Sequence, residues 1–376
     1  MLHVLHIAND YAGSQAYSQL AAALDAQGVQ QTVFTTIRSE NAKGCNYLNF
    51  QTEGSVIHYS DNFSLYHRLL YRQKARSNYR ALRAFVDVRS VDFSHAHTMF
   101  SDGILALKLK KQFGIPYIVT VRNTDLNLYM RYMPHTWMVG RQILQEADQI
   151  IFISKAHMRR APKWVVAPKD VLERKAVNIP NGIDDYWFEH IDSSRHIAPI
   201  KSPWRLIYVG NFTANKNVPR LMLAVLHLNK RGIPTTLDIV GAKGRDTNRI
   251  MRIAQTHPEI FKLHGEIRDK DRLRALFREM HIFALASLRE TFGLVYVEAL
   301  TQGLPILYSE GEGVDGFFDE QYGMACNPRS RASIETSLER IMEAYPRLSI
   351  DEGYLSAQFD WRRIAGMYLS LYFKRN

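Results

Sequence analysis

Residues 290–298 read ETFGLVYVE, and this stretch decides how the rest of the chain is interpreted. It follows residues 281–285, a short apolar run typical of a buried strand. We predict that Phe292 and Gly293 open a helix that includes Glu298. Eight helical rises would separate Glu290 from Glu298 by at most about 12 Å, the scale of a sugar diphosphate rather than of one reacting atom. The spacing therefore favours two carboxylates at opposite ends of an extended ligand. A helix with one acidic residue at its start and another on a solvated face fits the spacing equally well.

The rest of the chain alternates short apolar runs with segments of helical period, a pattern typical of parallel strands joined by helical crossovers. The first series of runs lies at residues 2–8, 32–36, 92–95, 117–121 and 149–153, and the second at 205–210, 237–241, 262–265, 281–285 and 305–308. We therefore predict an α/β protein with two doubly wound domains. Their boundaries are placed at residues 1–183 for the N-terminal domain, 184–203 for a linker rich in turn formers, and 204–356 for the second domain. Residues 357–376 are expected to form a helix that returns to the first domain, although a simple terminal packing helix has the same pattern.

The composition narrows the class of protein. The 376 residues are 46% hydrophobic and carry a formal net charge of +11, which excludes a disordered, collagenous or coiled-coil chain and points to a polyanionic partner. Only Cys45 and Cys326 occur, without a metal-binding spacing, so no disulfide framework or zinc site is predicted. We interpret the apolar start as a buried strand and find no run long enough to span a membrane, so a cytoplasmic protein is expected.

An ordered set of motifs resembles the family-4 retaining glycosyltransferases, which have the GT-B fold. Residues 290–298 resemble the E-x(7)-E signature of that family. Residues 208–211 with Lys216 resemble its glycine-plus-basic loop, residues 238–241 and 264–267 its nucleotide-side strands, and residues 359–361 its returning C-terminal helix. The resemblance covers nearly the whole chain and implies two Rossmann-like domains facing each other across a ligand cleft.

The resemblance also implies roles for individual residues. Glu298 would hold the ribose of a sugar nucleotide, Glu290 would meet hydroxyls of the donor sugar, and Lys216 would contact the diphosphate. The full donor-binding set is Gly13, Gly210, Asn211, Lys216, Gly265, Ile267, Arg268, Glu290, Phe292, Gly293, Leu294 and Glu298. The acceptor-binding set is His97, Asn123 and Asp125, with Arg122 beside them. Such enzymes need no catalytic metal, so no cofactor is expected.

Two residues depart from the family pattern. Asn211 stands where the family commonly has arginine, so one diphosphate cation is missing. Arg122 stands where the family commonly has histidine near the transferred sugar, and arginine remains protonated and cannot act as a general base. Our hypothesis is that Arg122 binds the departing phosphate or an anionic acceptor. We therefore count Glu290, Lys216 and Arg122 as the catalytic group.

A basic segment at residues 62–89 contains seven cations and one carboxylate, with aromatic and leucine side chains near helical spacing. Helices of this kind lie on anionic bilayers. A solvated helix that covers the sheet has the same composition, and arginine with aromatic residues also suits RNA. In a glycosyltransferase, contact with an anionic membrane surface is the favoured interpretation over nucleic acid.

The predicted activity is transfer of a sugar from a UDP- or GDP-sugar to a hydroxyl of a glycan or a lipid-linked acceptor, with retention, in cell-surface polysaccharide or glycoconjugate synthesis. The expected location is the cytoplasm or the inner face of the cell membrane. Two alternatives stay open at this point: a nucleotide-sugar epimerase on the same fold, and a non-catalytic protein that binds nucleic acid or glycan. The sequence does not specify the sugar, the base, the acceptor or the oligomeric state.

Overall fold

A computed structural model describes residues 1–37, 39–61, 71–164, 166, 168–193 and 203–373. The chain divides into two compact units. Unit 1 consists of Met1–Ile153, His157–Asp184 and Gln358–Asn376, and unit 2 of Ser154–Ala156 and Asp185–Ala357. The linker predicted at residues 184–203 begins with a short helix at Asp185–Glu189. Its residues 194–202 lie outside the described residues, as do residues 62–70 of the basic segment.

Each unit is built on one parallel sheet, so the predicted fold class is confirmed. In unit 1 the strands are β1 (His3–Ile7), β2 (Gln30–Thr36), β3 (Val56–Ser60), β4 (Phe93–Ala96), β5 (Tyr117–Val121), β6 (Gln149–Phe152) and β7 (Ala176–Asn178), in the order β3-β2-β1-β4-β5-β6-β7. In unit 2 they are β8 (Trp204–Val209), β9 (Thr235–Val240), β10 (Phe261–Gly265), β11 (Ile282–Ala284), β12 (Ile306–Ser309) and β13 (Gly323–Cys326), in the order β10-β9-β8-β11-β12-β13. Strand order reverses between β1 and β4 and between β8 and β11. Ligands of such sheets bind beyond the strand ends at these two points.

The helices connect these strands. In chain order they are α1 (Gln15–Asp25), α2 (Tyr71–Phe85), α3 (Gly103–Phe113), α4 (Met130–Tyr132), α5 (Trp137–Glu146), α6 (Lys155–Arg160), α7 (Lys169–Lys175), α8 (Asp185–Glu189), α9 (Val218–Lys230), α10 (Thr247–Thr256), α11 (Lys270–Glu279), α12 (Leu294–Thr301), α13 (Arg331–Ala344), α14 (Glu352–Phe359) and α15 (Trp361–Tyr372). Successive residues of β5 belong to different apolar clusters: Ile118 packs with α1 and α15, and Val119 with α3 and α5. The sheet of unit 1 is thus buried on both faces, as its continuous apolar strands predict.

Three strands were missed by the sequence pattern, for local reasons. The edge strand β3 reads VIHYS and is buried only at its last residue, so it lacks an apolar run. The strand β7 has three residues, and β13 begins at Gly323, where any Cβ would lie 1.9 Å from the Ile306 carbonyl oxygen. Short strands and strands with glycine carry little periodic signal.

The C-terminal helix α15 packs on α1 within unit 1. The Asp360 side chain caps its first turn by accepting from the Arg362 backbone N–H. The Trp361 indole N–H donates to Gln19 Oε1 at 3.0 Å. A Cβ on Gly182 would lie 2.7 Å from the same indole, so only glycine fits where the chain leaves unit 1. The described residues contain no helix both long and apolar enough to cross a bilayer.

Candidate active site

The loops that follow β8 and β9 approach each other closely at positions occupied by glycine. The residue after β8, Gly210, lies so close to Gly241 that a Cβ on Gly241 would be 1.9 Å from the Gly210 carbonyl oxygen. A Cβ on Gly244 would lie 2.5 Å from the Phe212 carbonyl oxygen. The Phe212 backbone N–H donates to the Ala242 carbonyl at 3.0 Å. The loops after β8 and β9 therefore form one close-packed backbone surface, and Asn211 lies within it.

An ion pair joins the loops that follow β8 and β11. Lys216 Nζ lies 2.6 Å from Glu290 Oε2, and their side chains are 24% and 12% exposed. Ser287 Oγ donates to the same carboxylate oxygen at 3.1 Å, and the Thr291 backbone N–H donates to the other at 3.2 Å. The Glu290 backbone N–H donates to Glu312 Oε2. Because this pair is partly buried and held by several hydrogen bonds, its orientation is fixed far better than that of a surface ion pair.

The position of Lys216 depends on the residue that follows it. Asn217 adopts a left-handed conformation with φ of 58° before α9 begins. Its buried side chain donates to the carbonyl oxygens of Ala286 and Pro328, at 3.1 and 2.8 Å. Asparagine tolerates this backbone region better than most residues. The turn that carries Lys216 is thereby tied to the loop that leads to Glu290, a link that the sequence motif did not reveal.

The helix α12 begins where residues 290–298 predicted it. Gly293 is the N-cap with φ of +86°, and a Cβ there would lie 2.6 Å from the Tyr296 ring. Buried Phe292 packs against Phe317, and the Tyr296 hydroxyl donates to the Leu285 carbonyl, which fix the helix start against the sheet. Leu294 is the first helical residue. The Tyr296 N–H donates to the Gly293 carbonyl at 3.0 Å, so the N–H groups of Leu294 and Val295 are the ones at this helix start that suit an anion.

The second carboxylate of the motif, Glu298, is half-buried in the second turn of α12. It thus lies on the same short helix whose start is set by Gly293. The motif residues 290–298 are therefore collected at the reversal point of the second sheet.

The strand end expected to face a nucleotide base is β10. Gly265 has φ of +71°, and its carbonyl accepts from the Gly241 N–H at 2.8 Å. Ile267 is half-buried. Arg268 is directed to solvent, with its side chain 85% exposed and paired with Glu266, so its side chain contributes charge only at the surface.

A buried pair that the sequence did not predict lies beside that strand end. His264 Nε2 is 2.5 Å from Asp238 Oδ2, and both side chains are 11% exposed. The two residues come from neighbouring strands, β10 and β9. The contact fixes the His264 ring at the position where the resemblance places the base.

In unit 1 the first loop after β1 is held by a buried carboxylate. The Asn9 side chain and backbone N–H both donate to Asp102 Oδ1, and Thr98 Oγ1 donates to Asp102 Oδ2 at 2.9 Å. Burial raises the pKa of Asp102 to about 7. Gly13 follows in this loop, where a Cβ would lie 2.8 Å from Asp10 Oδ1. Because the carboxylate at the end of the Asp10 side chain can turn away, this contact does not by itself require glycine.

Arg122 follows β5 and is held in place by its neighbours. Its Nε donates to the His97 carbonyl at 2.9 Å, and its guanidinium lies 4.5 Å from the centre of the Tyr17 ring. Within the described part of the chain, its guanidinium has no other hydrogen-bond partner. Tyr17 is buried, and no motif or spacing marks it as a cation–π partner. The guanidinium is thus oriented with much of its donor capacity left for a ligand.

The other acceptor candidates take different roles. Asp125 is buried and accepts from the backbone N–H groups of Met99, Phe100 and Arg122, and its burial raises its pKa to about 6. Asp125 therefore stabilises the conformation of the loop after β5 from a buried position. Asn123 has a buried side-chain oxygen with no hydrogen-bond partner among the described residues.

His97 is buried within a cluster of three histidines. His6 Nδ1 lies 2.9 Å from His97 Nε2, and the rings of His95 and His97 stack with centres 3.9 Å apart. His95 also pairs with Tyr372 and Thr120, which satisfies both of its ring nitrogens. Ring nitrogens of all three come within 4.8 Å of one another. The in-plane lone pairs of two stacked rings lie in nearly parallel planes and do not converge on one point. This geometry therefore favours hydrogen bonding over metal ligation.

Each unit matches a glycosyltransferase family model. A family model described as Glycosyltransferase Family 4 matches residues 15–186, and one described as Glycosyl transferases group 1 matches residues 191–349. Glycogen synthase of Mycobacterium tuberculosis is 28% identical over 298 residues, which is 75% of this chain and 68% of that protein.

Solved structures agree with the fold. Sucrose-phosphate synthase from Thermosynechococcus elongatus has a TM-score of 0.77 at 20% identity, covering 99% of this chain and 98% of the other. Anabaena HepE in complex with UDP-glucose has a TM-score of 0.67 at 14% identity, covering 98% and 100%. The family models and the fold identify a glycosyltransferase. The chain belongs to the group 1, family 4 glycosyltransferases and has the GT-B fold.

Proposed function

We propose that this enzyme transfers a sugar from a nucleoside diphosphate sugar, with UDP or GDP as the nucleotide, to a hydroxyl of a glycan or lipid-linked acceptor. The carrying observation is the Lys216–Glu290 pair at the reversal point of the second sheet, next to the start of α12. A cation, a carboxylate and unpaired backbone N–H groups suit a diphosphate bonded to a sugar. The complex of HepE with UDP-glucose supports a donor of this class.

Within this proposal each donor-binding residue has one task. Glu290 accepts from sugar hydroxyls, Lys216 and the N–H groups after Gly293 bind the diphosphate, and Glu298 accepts from the ribose. The backbone at Gly265, Ile267 and Arg268 receives the base. Lys216 neutralises charge that grows on the leaving phosphate as the sugar–phosphate bond breaks, which lowers the barrier electrostatically. No metal has a part in this scheme.

We propose retention at the anomeric carbon. The acceptor hydroxyl attacks from the face that the phosphate leaves, and the leaving phosphate takes the hydroxyl proton. The protein then supplies position and electrostatics rather than a general base. Arg122 suits this task because its oriented guanidinium is always charged.

A panel of UDP-, GDP- and ADP-sugars tests the donor class by thermal shift. A true donor at about 100 times its Kd should stabilise the protein by about 2.7 kcal/mol through mass action. The shift should persist in EDTA. Absence of a shift with every nucleotide sugar contradicts the proposed donor, and loss of the shift in EDTA contradicts the metal-free scheme.

Replacing Arg122 by alanine should lower kcat/KM on the order of 10- to 100-fold, the worth of one hydrogen bond to a charged group. Arg363→Ala, at an exposed position on α15, is the matched control and should behave as wild type. Steady-state kinetics measure both. Unchanged turnover and donor affinity in Arg122→Ala would show that this arginine has no part in transfer.

We further propose that α2 rests on an anionic membrane surface at the cytoplasmic side. Its buried face is formed by Tyr71, Ala75, Asn78 and Leu82. The opposite face exposes four arginines at helical spacing: Arg72, Arg76, Arg80 and Arg83. Each cation near an anionic bilayer adds about 1 kcal/mol of binding energy.

Flotation with anionic vesicles at low salt tests the membrane surface. Wild type should float, and a variant with these four arginines changed to glutamine should stay at the bottom. A control with Lys230, Arg249, Arg252 and Arg272 changed to glutamine removes the same charge from exposed positions of unit 2. Equal flotation of both variants would mean that net charge, and not α2, determines binding.

A further inference from the structure

Unit 1 contains a cavity of about 210 Å³ that none of the sites above uses. It is lined by Met130, Trp137, Lys163, Trp164 and Val166. These residues come from two separate connections of the sheet, one between β5 and β6 and one between β6 and β7. The cavity is therefore a feature of the folded unit and not of one loop.

The cavity lies towards the edge of the sheet at which the acceptor candidates are placed. Met130 follows the π-helical turn Asp125–Tyr129, which itself begins three residues after Arg122. Trp137 is the first residue of α5. Trp164 packs near Phe152, the last residue of β6, with ring centres 6.0 Å apart. The carboxyl ends of β5 and β6 thus border both the Arg122 loop and the cavity.

The side chains that line the cavity favour a hydrocarbon ligand. Two indoles, a thioether and a valine provide an apolar wall, and Lys163 is the single charged group on it. The Trp137 indole N–H is buried without a hydrogen-bond partner among the described residues, so this residue of the lining offers one polar donor. The described lining residues include no carboxylate, amide or hydroxyl side chain, so most hydroxyls of a sugar would lose their hydrogen bonds to water on entry. A chain or ring of carbon atoms loses nothing by entering, and the ammonium at the wall favours an anionic group attached to it.

The surrounding surface has the same character. Leu128, Tyr132 and Met138 lie on the elements that supply Met130 and Trp137, and they are 46%, 62% and 85% exposed. The helices α4 and α5 carry Arg131 and Arg141 against one carboxylate, Glu146. Exposed apolar side chains with an excess of positive charge are complementary to an anionic amphiphile.

We propose that this cavity binds the hydrocarbon part of an anionic amphiphile, an alkyl or isoprenyl chain joined to a phosphate, with the phosphate at Lys163. This inference rests on the proposed transfer to an acceptor in unit 1, and it makes that acceptor lipid-linked rather than a free glycan. The cavity holds the chain next to the linkage, while the sugar end extends towards Arg122.

The site can be tested by quenching of tryptophan fluorescence. The quencher is a terminally brominated dodecyl phosphate, used below its critical micelle concentration and without nucleotide sugar. The bromine should quench Trp137 and Trp164, and the same compound without bromine should not. The double variant W137F/W164F should lose the quenching, because the remaining tryptophans, Trp187, Trp204 and Trp361, lie elsewhere.

Exposed Lys163 gives a second variant that leaves the packing intact. Lys163→Ala should weaken binding of the alkyl phosphate about tenfold, the worth of one charge-assisted contact, and leave binding of a brominated dodecyl glucoside unchanged. Lys111→Ala, at an exposed lysine on α3, should match wild type for both probes.

Three results would overturn the proposal. Quenching that survives in W137F/W164F means that the chain binds elsewhere, and competition by inorganic phosphate as strong as by the alkyl phosphate means a plain anion site. Competition by methyl glucoside as strong as by the alkyl phosphate without bromine means a sugar subsite. None of these affects the thermal shift with nucleotide sugars, so failure of this proposal and failure of the proposed donor are separable.

Discussion

Lys216→Ala should lower kcat about 100- to 1,000-fold, the usual cost of removing one donor that stabilises charge in a transition state. The Lys216 ammonium lies 2.6 Å from Glu290, and in the proposed scheme it also contacts the diphosphate of the donor. The carboxylate keeps Ser287 and the Thr291 N–H as partners, and the fold should therefore survive the change. Steady-state kinetics with the donor found by thermal shift give kcat and KM separately.

Lys230→Ala is the matched control, because Lys230 is an exposed lysine at the other end of α9. Glu290→Gln separates binding from catalysis. If Glu290 only binds ground-state hydroxyls, KM rises and kcat stays; if it acts in the transition state, kcat falls with kcat/KM. Activity of Lys216→Ala within about threefold of wild type would show that Lys216 has only the structural role of pairing Glu290.

The sequence predicted the parts of this protein that rest on periodicity and on local motifs. Residues 290–298 did place a strand end, a glycine N-cap and a short helix, because Gly293 needs a positive φ that other residues avoid. The continuous apolar runs predicted two parallel sheets, because strands covered on both faces need no polar alternation.

Contacts between residues far apart in the chain could not be predicted from sequence patterns. Asp238 and His264 lie on neighbouring strands, and their pairing depends on register. Tyr17 meets Arg122 only because α1 and the loop after β5 share one edge of the sheet. His97 was expected to bind the acceptor, and the structure buries it with His6 and His95. His95 and His97 are two residues apart and therefore lie on the same face of the sheet, and His6 lies opposite His95 on the neighbouring strand β1.

That histidine cluster makes unit 1 sensitive to acid. Burial lowers the pKa of His6 to about 3, and burial together with neighbouring histidines and Arg122 holds the pKa of His95 and His97 well below the usual range. The unfolded chain takes up protons near pH 6.5, whereas the folded chain keeps these rings neutral. The contribution of this cluster to the free energy of unfolding is therefore fully present above about pH 6.5 and decreases as the pH falls towards 3. Asp102 and Asp125 act in the opposite direction, because burial raises the pKa of each and acid favours the folded form.

His6→Gln should reduce the pH dependence of the free energy of unfolding by the contribution of one histidine. Each linked proton changes the free energy of unfolding by about 1.4 kcal/mol per pH unit, so from pH 7.5 to 5.0 wild type should lose about 2 kcal/mol more than the variant. Urea unfolding at both pH values measures the difference, and the opposing carboxyl groups cancel because both proteins contain them. His135→Gln, at an exposed histidine, should follow wild type. If His6→Gln lost as much stability as wild type over this range, His6 would be protonated in the folded protein, and burial would not keep the cluster neutral.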